Sequence, residues 1–209
     1  MKVLDITEVK LEWSDINSRI QHPKPTHKRS PGVHVSGVLK HIAQKLGTLK
    51  EDDGNDEMPM VVAMGMAFEE WAAGLYPKMK WQPGELKHQG VVGSPDGKSW
   101  LTRLGQEVCD GLEHKPVIEE FKFTYKSLRT RQGDAILHEW LWMQQIMAYC
   151  NMDKNKPDLG RLHVWFAAGD YTYPLKPRYL RYLIQFSELE LKNNWAMIQR
   201  YKALAPREG

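Results

Sequence analysis

The chain has 209 residues, 42% hydrophobic and 26% charged, the size of one globular domain with a full core. No apolar run is long enough to cross a bilayer, and the opening Met-Lys-Val-Leu-Asp-Ile-Thr-Glu lacks a secretory segment, so a cytoplasmic, membrane-free protein is expected. Two cysteines, Cys109 and Cys150, exclude a disulfide framework and a four-cysteine cluster, while a net charge of +3 leaves room for a basic face beside an acidic site.

One domain is expected over 1–209, with a basic N-terminal arm in 1–35, core motifs in 59–151, and closing strands and a helix in 160–209. Residues 22–34 mix three prolines with basic side chains, which favours an extended segment. Ser36 precedes an amphipathic run closed by Gly47 and reads as a helix N-cap, with ligand contact as the alternative. The acidic run 51–57 lacks the spacing of an EF-hand and reads as a solvated loop. Pro59 opens a helix to about Leu75, with Val61, Met64, Phe68, Trp71 and Leu75 on its apolar face. Gly65 in mid-helix suggests close approach by another backbone, and Glu69 lies one turn on, with Glu70 as its competitor for any site.

From Gly84 the sequence takes the form of a short strand entering a tight bend, Ser-Pro-Asp-Gly, with Asp96 at the end of the strand. Val117–Phe123 reads as a buried strand that carries charge. Phe121 and Phe123 share one face with Glu119, while Ile118, Glu120 and Lys122 share the other. Buried charges must pair, bind a metal or line a cleft. Residues 134–151 read as a helix, capped by Asp134, that stacks Gln145 and Tyr149 at i and i+4. Arg161–Ala168 and Tyr179–Phe186 read as strands, and Leu189–Leu204 as a closing helix on Leu191, Trp195 and Ile198.

Glu-x-Lys is unspecific, since Glu8/Lys10, Glu85/Lys87, Glu113/Lys115 and Glu190/Lys192 share the spacing of Glu120/Lys122. Only the last pair lies inside an apolar strand, after a turn aspartate and before a polar helix face. Asp96 and Glu120, with Glu69 and the Phe121 carbonyl, are hard oxygen donors that suit Mg2+ or Mn2+. Lys122 could orient or deprotonate a water, Gln145 and Tyr149 could contact a phosphate backbone, and Lys126, Arg129 and Arg131 could neutralise phosphates further out. The bland reading makes Glu120 and Lys122 a structural ion pair.

The order Gly65-x-x-x-Glu69, Asp96, Glu120-x-Lys122 and Gln145-x-x-x-Tyr149 resembles the PD-(D/E)xK nuclease superfamily, on the branch of phage lambda-type exonucleases and RecB-like nuclease domains. The resemblance spans residues 29–150 by motif. It implies an α/β, restriction-endonuclease-like core, a mixed β-sheet flanked by α-helices. Asp96, Glu120, the Phe121 carbonyl and Glu69 would hold the metal, Lys122 would serve the water, and Gln145 and Tyr149 would edge the site. Arg29 and Ser36 are similar in type and placement to an arginine and a serine that bind the DNA 5′-phosphate in lambda-type exonucleases. The implied activity is exonucleolytic hydrolysis of DNA, with a structure-specific or nicking endonuclease, or a catalytically silent DNA-binding recombination factor, as alternatives. The resemblance implies DNA as partner and leaves room for a phage single-strand annealing protein and a homo-oligomer. It gives no iron–sulfur cluster.

Overall fold

The structure, a computed structural model, describes residues 1–10, 30–48, 59–102, 107–108 and 114–205. Strand β8, Lys115–Thr124, and strand β9, Leu159–Phe166, run parallel at the centre of a mixed sheet. Both are rich in Val, Ile, Leu and Phe, as strands covered on both faces must be. On one side β9 pairs antiparallel with β10, Arg178–Gln185, and β10 with β1, Lys2–Val9. On the other, β8 pairs antiparallel with β6, Gly97–Leu101, which is joined by β3, Lys80–Trp81, and β7, Glu107–Val108. Seven strands form this sheet among the described residues. A second, three-stranded sheet places β5, Val91–Gly93, between β2, Val33–His34, and β4, Leu86–His88.

The helices α1, Val35–Lys45, α3, Trp140–Met152, and α4, Glu188–Tyr201, cover one face of the large sheet. Their side chains close over Ile118, Leu162, Val164 and Tyr182 in the main core. Helix α2, Pro59–Ala73, covers the other face, where Phe68 meets Phe121 and Tyr179 edge-on and Trp71 meets Trp165 edge-on. The expected mixed sheet flanked by helices is therefore what the chain builds.

Several local expectations are corrected. Residues 2–9, read as part of an arm, are an edge strand whose Lys2, Asp5 and Glu8 keep that edge polar. Helix α1 begins at Val35 with His34 as N-cap and no side-chain cap bond, so Ser36 lies inside its first turn. Asp134 does not cap α3: residues 133–138 form a 3-10 turn, and the helix starts after Glu139. A Cβ on Gly65 would meet nothing within 4 Å, so no backbone presses on it, and Met64 is exposed rather than core. Asp96 precedes β6 instead of ending a strand. The acidic run 51–57, Cys109 and Arg29 lie outside the described residues.

Behind β8, on the α2 side, lies a buried polar chain. Glu119 is 1% exposed and accepts hydrogen bonds from Arg161 at 2.9 Å, from His163 Nε2 at 2.7 Å and from Ser99. Burial alone would raise its carboxyl, but the Arg161 guanidinium and the His163 hydrogen bond outweigh that and hold it below the usual range. An ionised Glu119 can only accept, which fixes the polarity beyond it. Tyr179 then donates to His163 Nδ1 at 2.7 Å, and Tyr76 to Tyr179 at 2.9 Å. This chain ties β8, β9 and β10 to the segment after α2.

Candidate active site

The faces of β8 part as its period of two requires. Phe121 goes under α2, while Glu120 and Lys122 go under α3, into a cavity of about 170 Å³. Asp96 reaches the same cavity from the entry to β6. Pairing between β6 and β8 ends at Gly97 and Glu119, and the Asp96 carboxylate continues that edge by accepting the Phe121 N–H at 2.8 Å. A residue's N–H and C=O leave a strand on the same side, so the Phe121 carbonyl also faces Asp96. From α2, Glu69 lines the cavity and Glu70 does not.

The cavity's third wall is α3. Lys122 Nζ donates to Glu120 at 2.5 Å and to Gln145 Oε1 at 3.2 Å, and Gln145 Nε2 donates to the Tyr149 hydroxyl at 2.9 Å. The expected i, i+4 pair is thus joined to the Glu-x-Lys motif. Helix α3 is held in place by a buried pair, Lys98 to Asp153 at 2.7 Å, linking its end to the strand that Asp96 precedes. Gly93 matters here: a Cβ would lie 2.7 Å from Tyr149 Cε1 and 3.1 Å from Met152 Sδ. Gly93→Ala should push Tyr149 out of line and cost about 1–3 kcal/mol, read as a fall in Tm of about 2–4 °C per kcal/mol.

Charge in the cavity is unbalanced. Burial, then Asp96 and Glu120, push Glu69 up to about 9, and burial with Asp96 pushes Glu120 up to about 8. Burial also raises Asp96. Lys122 is raised too, because Glu120 and Asp96 outweigh the burial that would lower it, so it keeps its proton. Glu120 is fully buried, and its Oε2 has no hydrogen-bond partner. Acids repelling one another around an unpartnered oxygen are what a divalent cation would relieve. Among the described residues no three His, Cys, Asp or Glu side chains converge into a closed cage. Asp96, Glu120 and the Phe121 carbonyl instead fit an ion that takes one or two carboxylates and keeps several waters, as Mg2+ does.

Ser36 and His34 line the cavity as well, placing the amino end of α1 against the acids. His34 was not singled out in the sequence, although Ser36, two residues on, was a candidate there. Here its Nε2–H donates to the Ser30 carbonyl at 2.8 Å, holding the approach to α1. The basic residues sit elsewhere. Lys126 and Arg131 both pair with Glu139, at 2.5 and 2.6 Å, and Arg129 lies 4.0 Å from Asp170. None of the three lines the cavity. A larger open groove of about 1130 Å³ runs beside Lys2, Ser187 and Trp195. Of its acids, Glu190 closes the capping box of α4 and Asp158 accepts from Gln185 at 2.9 Å.

No family model and no curated protein matches the chain. Two solved structures are similar in shape. The crystal structure of LHK-Exo in complex with dAMP has a TM-score of 0.47 at 15% identity, over 83% of this chain and 87% of that one. The crystal structure of a phage-related exonuclease from Haemophilus somnus 129PT has a TM-score of 0.44 at 12% identity, over 95% of each chain.

Proposed function

We propose that the chain is a metal-dependent deoxyribonuclease of the PD-(D/E)xK type, with a restriction-endonuclease-like core, that hydrolyses phosphodiester bonds from DNA ends. The observation that carries this reading is the cavity itself: Asp96, Glu120 and Lys122 meet in it beside an unpartnered Glu120 oxygen. Asp96, Glu120 and the Phe121 carbonyl, with Glu69 across from them, would hold Mg2+ or Mn2+. When bound, the ion lowers the pKa of an attacking water and neutralises charge on the phosphate. Lys122, which stays protonated, serves as a donor that orients the water or a phosphate oxygen rather than as a base. Gln145 fixes the Lys122 ammonium and is itself fixed by Tyr149. In the reaction a water oxygen bonds to phosphorus, the bond from phosphorus to the leaving ester oxygen breaks, and that oxygen takes a proton.

The uncapped first turn of α1, with Ser36, suits a terminal phosphate, because free helix amides and the dipole favour an anion. This placement favours end-directed cleavage over internal cutting. A phage recombination or degradation system in a host cytoplasm is the setting that fits such an activity.

End-labelled linear duplex and covalently closed circular DNA, incubated with Mg2+ or with EDTA, test the reading. Linear DNA should be shortened from its ends and circles left intact. Lys122→Ala should lower the rate at least about a hundredfold, the usual scale for loss of one charge-stabilising donor. Cutting of circles would make the enzyme an endonuclease on the same site, and no cleavage with Mg2+ or Mn2+ would overturn it.

A further inference from the structure

Past the catalytic strand, the chain holds aromatic rings in water. Tyr125 is 45% exposed, Tyr171 57% and Tyr173 92%. The Tyr125 hydroxyl donates to Met64 Sδ at 3.4 Å and its ring meets Phe123 edge-on, so that ring is held in place, and the loop that carries Tyr171 and Tyr173 is likewise built to stay put. Leu128 N–H donates to the Gly169 carbonyl at 2.8 Å, Thr172 N–H donates to Asp170 at 2.9 Å, and the Tyr171 hydroxyl donates to the Tyr125 carbonyl. Gly169, at φ +56, lets the two ends of the loop close so tightly that a Cβ would lie 2.1 Å from the Lys176 carbonyl. Tyr171 itself stands at φ +62, a conformation that costs a non-glycine residue about 1 kcal/mol or more. That strain is offset within the loop by the bond from the Tyr171 hydroxyl to the Tyr125 carbonyl, which holds the ring in place at the surface.

The position says which ligand. Strands β8 and β9 run parallel and both deliver their chains to this end of the sheet, so Tyr125 follows Lys122 by about 10 Å of extended strand. Arg129, also exposed, donates to Thr172 at 2.9 Å, the residue between Tyr171 and Tyr173, which sets its guanidinium on the same loop as the rings. Flat π faces next to a guanidinium match unpaired bases on a phosphate backbone, whereas a stacked duplex offers no free base face away from its ends.

We propose that Tyr173, Tyr171 and Tyr125 form a stacking platform for single-stranded DNA adjoining the catalytic cavity, with Arg129 on its phosphates. This rests on the nuclease reading for the identity of the substrate but is tested without cleavage. Binding of labelled oligothymidylate and of a blunt duplex of equal length is measured in EDTA for the wild type, Tyr173→Ala, Tyr173→Phe and Arg129→Ala. Single-strand affinity should fall at least about fivefold in Tyr173→Ala, stay near wild type in Tyr173→Phe, and fall in Arg129→Ala with a shallower salt dependence; duplex affinity should hardly change in Tyr173→Ala. Unchanged single-strand affinity in Tyr173→Ala, equal losses for duplex and single strand in that variant, or no single-strand binding by the wild type would each overturn the platform. Loss of cleavage with Tyr173-dependent binding intact would overturn the nuclease reading alone, and cleavage with Tyr173 indifferent would overturn the platform alone.

Discussion

Glu120→Gln is expected to abolish cleavage and to stabilise the metal-free fold at the same time. The amide keeps the hydrogen bond to Lys122 but removes the charge that would hold a divalent ion, so the rate should drop about a thousandfold or more. The stability gain follows from linkage. Glu120 is raised to about 8 in the fold against about 4.3 unfolded. Between those values the folded chain holds a proton that the unfolded chain has lost, so wild-type stability falls as pH rises from about 4.3 to about 8. Glutamine has no such dependence. At pH 7, in EDTA, the variant should melt at least about 3 °C above the wild type, where about 1 kcal/mol corresponds to about 2–4 °C in a domain of this size. Added Mg2+ should raise the wild-type Tm, increasingly so toward pH 8, and leave the variant unmoved. A variant that melts below the wild type in EDTA at pH 7 would show that Glu120 and Lys122 are a structural ion pair.

Arg161→Met is expected to give the largest loss of stability, although Arg161 is far from the cavity face. Its guanidinium answers the buried Glu119 at 2.9 Å and also reaches Glu107 at 2.9 Å. Removing it leaves a carboxylate that is 1% exposed with only a neutral imidazole and a hydroxyl, and breaking a buried pair this way costs about 3–5 kcal/mol. His163 stays neutral because burial lowers its pKa. In the wild type Glu119 is held low, so its contribution is complete above about 4.3 and is lost as pH falls through the lower folded value. The variant should lose that acid-side dependence. Urea unfolding at pH 7 and at pH 4 measures both effects. A loss under about 1 kcal/mol at pH 7 would mean that Ser99 and His163 suffice to hold the charge.

The strand faces of β8 were legible because period two is local: once Phe121 is inside on one face, Glu120 and Lys122 must lie on the other. The joining of Gln145 to Tyr149 was legible for the same reason, as a helix brings i and i+4 together whatever surrounds it. The partners of Glu119 were not, since Arg161 and His163 meet it only through the parallel register of β8 and β9. Helix ends misled where two signals competed. Ser36 and Asp134 have the right side chains for caps, but the extended entry at His34 and the 3-10 turn after Gly133 set the boundaries elsewhere. At the closing helix the reading from Leu189 passed over Ser187-x-x-Glu190, a capping box whose bonds form, Glu190 accepting from Ser187 N–H at 2.9 Å. The glycine that matters was also misplaced: Gly65 drew notice for its helical position, while Gly93 is required by contact with Tyr149, which no local pattern encodes.

Strand β1 pairs with β10, Lys2 opposite Gln185, so it finds its neighbour only after about 180 further residues have been made. Synthesis at roughly 5–20 residues per second imposes a wait of about ten seconds or more before that edge can close. Until then the nascent chain holds β1 without its neighbour, and β10, once made, is for a moment an open edge able to accept a strand from another chain. Expression yield should therefore respond to the speed of translation and to chaperone supply more than the equilibrium stability of the finished sheet would suggest.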